Sequence, residues 1–519
     1  MFFNIDSFAL SGIDAVKINV EINISNGLPT FSIVGLPDKS INESKDRVRA
    51  SIINSGFKFP QKKIIINLSP ADIKKEGPCY DLPIALCILA LSNQLKHDFL
   101  FKSCFIGELS LDGALNPVKG ILSMAEKARA DSKEYFFIPA PNFNEASMIK
   151  DIRIIPCDNL KHCVYLLEEE KRSARYFDGI TDLKNSKQNP DSSNPAEKEI
   201  VDFKDINGQL RAKRAMEIAV SGFHNILLVG PPGSGKSMLA RRALGIMPEL
   251  SFDESIEVTK IYSIYKKNLK NLITQRPFRS PHHSVSLAGM IGGGSSIRPG
   301  EVSLADRGIL FLDEFSEFSS KIIEALRQPV EDKKIVISRN GYTFRLPCFF
   351  LLIIAMNPCG CGFFKDKEIK CRCSVREVER YWRKISGPMI DRIDIQVSMP
   401  REKMQSTFES ESDDSETIRK RVRKTFETQI KRNQFFNFEF NSQANTAVLN
   451  YWIKSDSLRK MIIAYAKKLN LSSRQISSLV KISRTIADME SSEEINEEHI
   501  TEALQYKVIL SRNYFSNLF

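Results

Sequence analysis

The run Gly230-Pro231-Pro232-Gly233-Ser234-Gly235-Lys236-Ser237 has the composition and spacing of a loop that wraps a polyphosphate. Its glycines let the backbone approach closely and turn N–H groups toward negative charge. Lys236 is placed to reach the β- and γ-phosphates, and the Ser237 hydroxyl to hold Mg²⁺. Two more polar clusters end apolar runs. Gly308-Ile-Leu-Phe-Leu-Asp-Glu314 closes on adjacent carboxylates, of which Asp313 suits Mg²⁺ and Glu314 suits polarising an attacking water. Leu351-Leu-Ile-Ile-Ala-Met-Asn357 is a further apolar strand, whose terminal amide, Asn357, can orient that water or contact the γ-phosphate. A strand-end Asn is also an ordinary turn residue. In Ser386-Gly-Pro-Met-Ile-Asp-Arg-Ile-Asp394, Arg392 reads either as a surface ion pair or as an arginine finger for a neighbouring subunit's γ-phosphate. The chemistry indicated is hydrolysis of a nucleoside triphosphate with Mg²⁺.

These groups need a particular scaffold. Asn225–Val229 reads as a buried strand entering the loop, and Met238–Ala243 as the helix leaving it, so the phosphates would meet a helix N-terminus. Phe349–Met356 is far short of the roughly 18 apolar residues of a membrane span and reads as the central strand of a parallel sheet. Residues 201–400 therefore form an α/β nucleotide-binding core. Residues 1–175 mix strands (Ile18–Ile24 alternating, Ile64–Leu68 buried) with a helix at Asp81–Ala90 that carries Pro in its first turn. Residues 176–200 are polar and Ser/Asn/Pro-rich, a linker. A second linker, 401–416, includes the acidic stretch Phe408–Glu416. Residues 417–519 show helical periodicity. The fold class is α/β and multidomain, with a helical C-terminal region.

The 519 residues carry a net charge of +11, which favours an anionic partner such as nucleic acid over a plain basic surface. The ten cysteines, with no export leader, are expected in a reducing cytoplasm and away from membranes. Four of the ten fall within fifteen residues, as Cys359-Gly-Cys361 and Cys371-Arg-Cys373. They can bind structural Zn²⁺ tetrahedrally, although C-x-C is tighter than the usual C-x₂-C knuckle, and free thiols are the alternative. Ile335–Leu346 reads as a β-hairpin turning at Asn340-Gly341, with Lys333, Lys334, Arg339 and Arg345 along it. Those charges suit a phosphate backbone contacted without regard to sequence, or simply a solvated face. Ile291–Ser296 is a second, glycine-rich candidate loop. The preceding His282-His283 pair has no carboxylate partner that the sequence marks out.

In this order, GPPGSGKS, GILFLDE, IIAMN and SGPMIDRID resemble the AAA+ ATPases. Phe278–Ser286, Ile291–Gly294 and Arg298–Gly308 are similar to the magnesium-chelatase-related branch, and specifically to the ComM/YifB family; Leu471–Arg474 with Ile482–Met489 resembles that family's helical lid. The resemblance spans essentially the whole chain. It implies a homo-oligomeric ring, a hexamer, with ATP between subunits, Arg392 acting in trans and Arg474 as the lid's sensor arginine. It places the basic hairpin in the ring's pore. It also implies a helicase that drives branch migration on single-stranded or branched DNA during natural transformation. Rival functions are a chelatase motor subunit and an ATP-gated protein-binding adaptor. Gly107–Gly113, Asn116–Gly120 and Lys75–Cys79 resemble the Lon protease domain, whose Ser–Lys dyad aligns here with Cys79 and Met124. Methionine accepts no proton, so the resemblance implies that fold without peptidase activity, with Lys119 and Lys127 as the nearby lysines.

Overall fold

In the computed structural model, the described residues are 2–35, 39–71, 73, 75, 77–96, 100–168, 202–265, 271–294, 298–339, 342–384, 387–401 and 413–507. The chain divides into two compact units, residues 1–195 with 255–273, and residues 196–254 with 274–519. The expected linker 176–200 lies outside the described residues, as do residues 402–412 of the second.

The first unit contains β1 (Phe2–Ser11), β2 (Asp14–Ser25), β3 (Thr30–Val34), β4 (Lys63–Ser69), β5 (Ser103–Phe105), β6 (Glu108–Leu109), β7 (Leu115–Asn116), β8 (Tyr135–Pro139) and β9 (Arg153–Cys157). Seven of them form a mixed sheet in the order β3-β4-β2-β1-β5-β8-β9. Alternation fixes its register: Val20, Ile22 and Ile24 of β2 lie opposite Leu68, Ile66 and Ile64 of β4, all buried on one face. The helix Asp81–Leu91 is buried from Asp81 to Ala90. A buried carboxylate must be paired, and Asp81 accepts from Arg47 Nε at 2.9 Å and from the Leu109 amide at 3.2 Å.

The second unit is built on β10 (Ile226–Val229), β11 (Phe278–Arg279), β12 (Gly292–Gly293), β13 (Arg298–Pro299), β14 (Ile309–Leu312), β15 (Lys334–Arg339), β16 (Tyr342–Pro347), β17 (Leu351–Met356) and β18 (Ile395–Ser398). Five of them make a wholly parallel sheet, β11-β14-β17-β10-β18. β17 is fully buried between β14 and β10, which is why its sequence is apolar without alternation. Phosphate ligands of such sheets sit at the carboxyl ends of the strands, beside a switch in strand order; β10 and β17, adjacent here but distant in sequence, make that switch.

The C-terminal helices Ser415–Asn433, Asp456–Leu469, Ser473–Met489 and Glu497–Gln505 share one apolar core with this sheet. Phe223 stacks between Phe349 and Phe440 at centroid distances of 4.8 and 4.6 Å. The helix at Ser415 starts inside the segment expected to be linker. Asp414 caps it by accepting from the Thr417 amide at 2.9 Å, and Asp413 pairs with Arg421 at 2.6 Å. Composition alone does not separate an acidic cap from an acidic linker. None of the helices among the described residues is long and apolar enough to cross a membrane.

His224, buried just before β10, bonds Thr485 Oγ1 at 2.8 Å and faces Asp394 at 3.9 Å, with Lys481 and Lys507 also near. Burial pushes its imidazole down to about 4, with Asp394 opposing and the two lysines assisting. Between about pH 6.5 and 4 the unfolded state therefore takes up a proton that the native state does not, so stability falls as pH falls through that window. From pH 7 to pH 5 this one group should remove about 2 kcal/mol. The urea midpoint should drop more steeply over that range in the native protein than in His224→Gln; parallel curves would exclude the assignment.

Candidate nucleotide-binding site

Six residues after His224 the chain leaves β10 into the loop Gly230–Gly235 and enters the helix Lys236–Ile246. Gly233 (φ +80°) and Gly235 (φ +88°) are left-handed with open space around them, so conformation is what demands glycine there. Gly230 differs: a Cβ on it would lie 2.3 Å from the Met399 carbonyl oxygen, so crowding decides. No side chain caps the helix N-terminus, which leaves its first N–H groups directed toward an anion.

Lys236 is nearly buried, and its ammonium donates to the carbonyls of Gly230 (2.7 Å) and Pro231 (2.9 Å) and to Asn357 Oδ1 (3.3 Å). Burial pushes it down to about 8, with the Asp313 carboxylate opposing. Ser237 donates to Asp313 Oδ2 at 2.6 Å. A hydroxyl and a carboxylate converging beside a phosphate loop are the hard-oxygen set that Mg²⁺ takes together with phosphate oxygens. Parallel pairing explains the convergence: Leu312 of β14 aligns with Ile354 of β17, and Met356 with Val229, so Asp313, Asn357 and Gly230 all emerge at one sheet edge.

Glu314 follows in the left-handed region (φ +48°), half-turned outward. Its carboxylate lies 3.8 Å from His283 Nδ1, and the His283 ring sits 3.9 Å from that of His282. The histidine pair thus has the carboxylate neighbour that linear sequence did not reveal; thirty residues and a parallel crossover separate the two.

Arg392 is elsewhere. Its carbonyl accepts from Asn225 Nδ2 at 3.1 Å, at the start of β10, and it precedes β18, which runs parallel to β10. It therefore lies at the amino edge of the sheet, while the phosphate loop lies at the carboxyl edge, a strand length of about 13 Å away. Its guanidinium pairs with Glu331 and donates to the Pro388 carbonyl at 2.6 Å. Arg474 pairs with the same Glu331. Two arginines 82 positions apart thus converge on one carboxylate, at the end of a helix (Arg327–Asp332) that leads into the β15–β16 hairpin.

The hairpin pairs Lys334 with Pro347 and Arg339 with Tyr342; its turn and the Arg339 side chain lie outside the described residues. Lys334 and Arg345 are exposed and share a face, since Arg345 stands opposite Val336. Lys333 is not on the exposed hairpin at all. It ends the preceding helix at φ +56°, its ammonium lies 5.6 Å over the Phe349 ring, and burial lowers its pKa. The glycine-rich β12 lies beside the hairpin: a Cβ on Gly292 would come within 3.3 Å of Ile337 Cδ1.

The four cysteine sulfurs lie within 4.8 Å of one another, Cys359 just beyond Asn357, with Cys361, Cys371 and Cys373 half-buried. In the first unit, Cys79 packs against an apolar cluster that includes Met124, and Lys127 pairs with Asp131 at 2.7 Å.

Residues 202–407 match the family model described as magnesium chelatase, subunit ChlI, 412–507 its C-terminal model, and 20–142 the model of subunit ChlI of Mg-chelatase. Competence protein ComM of Haemophilus influenzae is 38% identical over 509 residues, 97% of each chain. The YifB protein of Salmonella typhimurium is 38% identical over 96% of each. The magnesium-chelatase 38 kDa subunit of Rhodobacter capsulatus is 24% identical over 33% of this chain and 53% of its own. The similarity thus spans both units, and by it the chain belongs to the ComM/YifB family of magnesium-chelatase-like AAA+ proteins.

Proposed function

We propose that the chain is an ATPase whose subunits assemble into a ring, a hexamer, that moves DNA. The observation that carries this reading is the division of the site. Lys236, Ser237, Asp313, Glu314 and Asn357 meet at the carboxyl edge of the sheet, whereas Arg392 and Arg474 meet at Glu331 by the amino edge. A chain folded this way supplies half a site at each of two edges, and a head-to-tail ring completes them.

In the completed site Lys236 and the loop amides hold the phosphates, and Glu314 takes a proton from the attacking water that Asn357 orients. Ser237 and Asp313 are the residues that would hold Mg²⁺, which supplies charge neutralisation at the phosphate oxygens. Arg392 and Arg474 neutralise charge on the neighbour's transferring phosphoryl group. Glu331 sits at the root of the hairpin, so release of the arginines to a neighbour's nucleotide is coupled to the element carrying Lys334, Arg339 and Arg345. Those residues grip a DNA backbone. Lys333, seated over Phe349, braces the hairpin instead. The competence in the Haemophilus relative's name supports a role in handling incoming DNA, and branch migration is the action proposed here for the ring. The first unit is read as a Lon-like domain without its base, because Cys79 packs against an apolar cluster containing Met124. The cysteine cluster is read as a structural Zn²⁺ site.

ATP turnover should rise several-fold on adding single-stranded or branched DNA, with Lys236→Ala as the blank. Replacing Lys334 and Arg345 together by Ala should flatten the salt dependence of DNA affinity by about two units of log–log slope. Turnover indifferent to DNA, with no strand displacement, would leave the adaptor reading in its place.

A further inference from the structure

The cysteine cluster has the dimensions of a metal's ligand shell. Cys359 Sγ lies 3.3 Å from Cys361 Sγ and 3.7 Å from Cys371 Sγ, and Cys361 lies 3.5 Å from Cys371. With Cys373, all four sulfurs fall within 4.8 Å, and none is in a disulfide. Four sulfurs around one Zn²⁺ at about 2.3 Å stand about 3.8 Å apart, so the cluster needs almost no rearrangement to close on the ion. The Cys373 amide also donates to Cys371 Sγ at 3.4 Å, which favours a thiolate.

What surrounds the cluster tells what the ion would do. Asn357, which touches Lys236, is two residues before Cys359. Between them the Pro358 carbonyl accepts from Trp382 Nε1 at 3.0 Å, and Tyr381, next to that indole, accepts from Ser316 at 2.9 Å, just past Glu314. On the other side, Gly362 (φ +88°) abuts the phosphate loop: a Cβ there would lie 2.8 Å from Pro232 Cδ. Phe363 lies under the Arg401 guanidinium at 5.3 Å. The cluster thus joins the end of β17, the loop's second proline and the segment after the carboxylates.

We infer that the four cysteines bind one Zn²⁺ and that the ion acts as a clamp, holding Asn357 and Pro232 in register across the nucleotide. This deepens the Zn²⁺ and ATPase readings and is independent of DNA. A tetrathiolate shell has no open position, so the ion does no chemistry itself. A clamp that aligns groups around the reacting phosphate should affect kcat more than nucleotide affinity.

The test uses the full chain purified without added metal. Plasma mass spectrometry should find about one zinc per chain, lost in the Cys361→Ser, Cys371→Ser double variant. Iron in its place, or no metal with the thiols free or paired as disulfides, would overturn the site while leaving the ATPase reading standing. Stripping zinc with a chelator should lower kcat for ATP about tenfold with KM within about threefold, and adding zinc back should restore it. Gly362→Ala touches no thiol; it should retain zinc yet show the same kcat loss. Zinc present, with kcat unchanged both after stripping and in Gly362→Ala, would overturn the clamp. A native protein that hydrolyses no ATP at all would instead count against the ATPase reading.

Discussion

Lys236→Met should lower kcat/KM for ATP by at least about a hundredfold and leave the nucleotide-free protein no less stable than the native one. The two halves of this result have one cause. The ammonium is held in a nearly buried position by two carbonyls and an amide oxygen, and burial already pushes its pKa from 10.5 down to about 8. The native fold therefore bears up to about 3 kcal/mol for keeping this charge at neutral pH, an interaction that only phosphate oxygens return in full. Sign follows directly: a lysine with a depressed native pKa destabilises the fold below that pKa, and the penalty fades as pH rises through 8 and beyond. Methionine fills similar volume without the charge. Thermal unfolding without nucleotide should thus show an unchanged or higher midpoint, and ATP should raise the midpoint of the native protein but not of the variant. A large loss of stability in Lys236→Met would mean that the lysine is a structural brace, and the site would need another phosphate ligand.

How far the sequence reached depended on whether partners were close along the chain. The phosphate loop and the strands ending at Asp313 and Asn357 were legible because parallel buried strands are continuous apolar runs, and the polar residue that stops the run is the one delivered to the sheet edge. The family likeness rested on these same residues. Contacts between distant segments were not legible. Nothing in the local sequence joins Arg474 to Glu331, His283 to Glu314, or Lys333 to the Phe349 ring. Lys333 shows the limit most plainly: charge and position put it on a basic hairpin, while one left-handed residue turns it back onto an aromatic ring. The cysteines went the other way. Counting residues made C-x-C look cramped, yet the nine residues between the pairs fold back and bring the sulfurs within 4.8 Å.

Arg392→Ala should still bind ATP and assemble, yet hydrolyse ATP about a thousandfold more slowly, in keeping with the arginine fingers of other phosphoryl-transfer enzymes. The location of the residue makes the stronger claim. Arg392 carries its carbonyl against Asn225 at the amino edge of the sheet, a strand length of about 13 Å from the loop of its own chain, and its guanidinium is held by Glu331 and the Pro388 carbonyl. Its deficit must then be repairable from outside. Glu314→Gln has the complementary defect, an intact finger beside a site that cannot take the proton from water. In an equal mixture, half the subunits offer a complete nucleotide site and half the neighbours a finger, so about a quarter of the interfaces of a head-to-tail ring become competent. Activity of the mixture well above that of either variant, approaching about a quarter of native, requires action between subunits. A mixture no better than its components would mean that Arg392 does not act between subunits, and full activity of Arg392→Ala alone would place it outside the reaction. Glu331→Gln discriminates further. It removes the carboxylate shared by Arg392 and Arg474 without touching either arginine, so a finger held in reserve should become more available and turnover in the absence of DNA should rise. If Glu331 instead positions the arginines productively, the same change should lower turnover toward the level of Arg392→Ala.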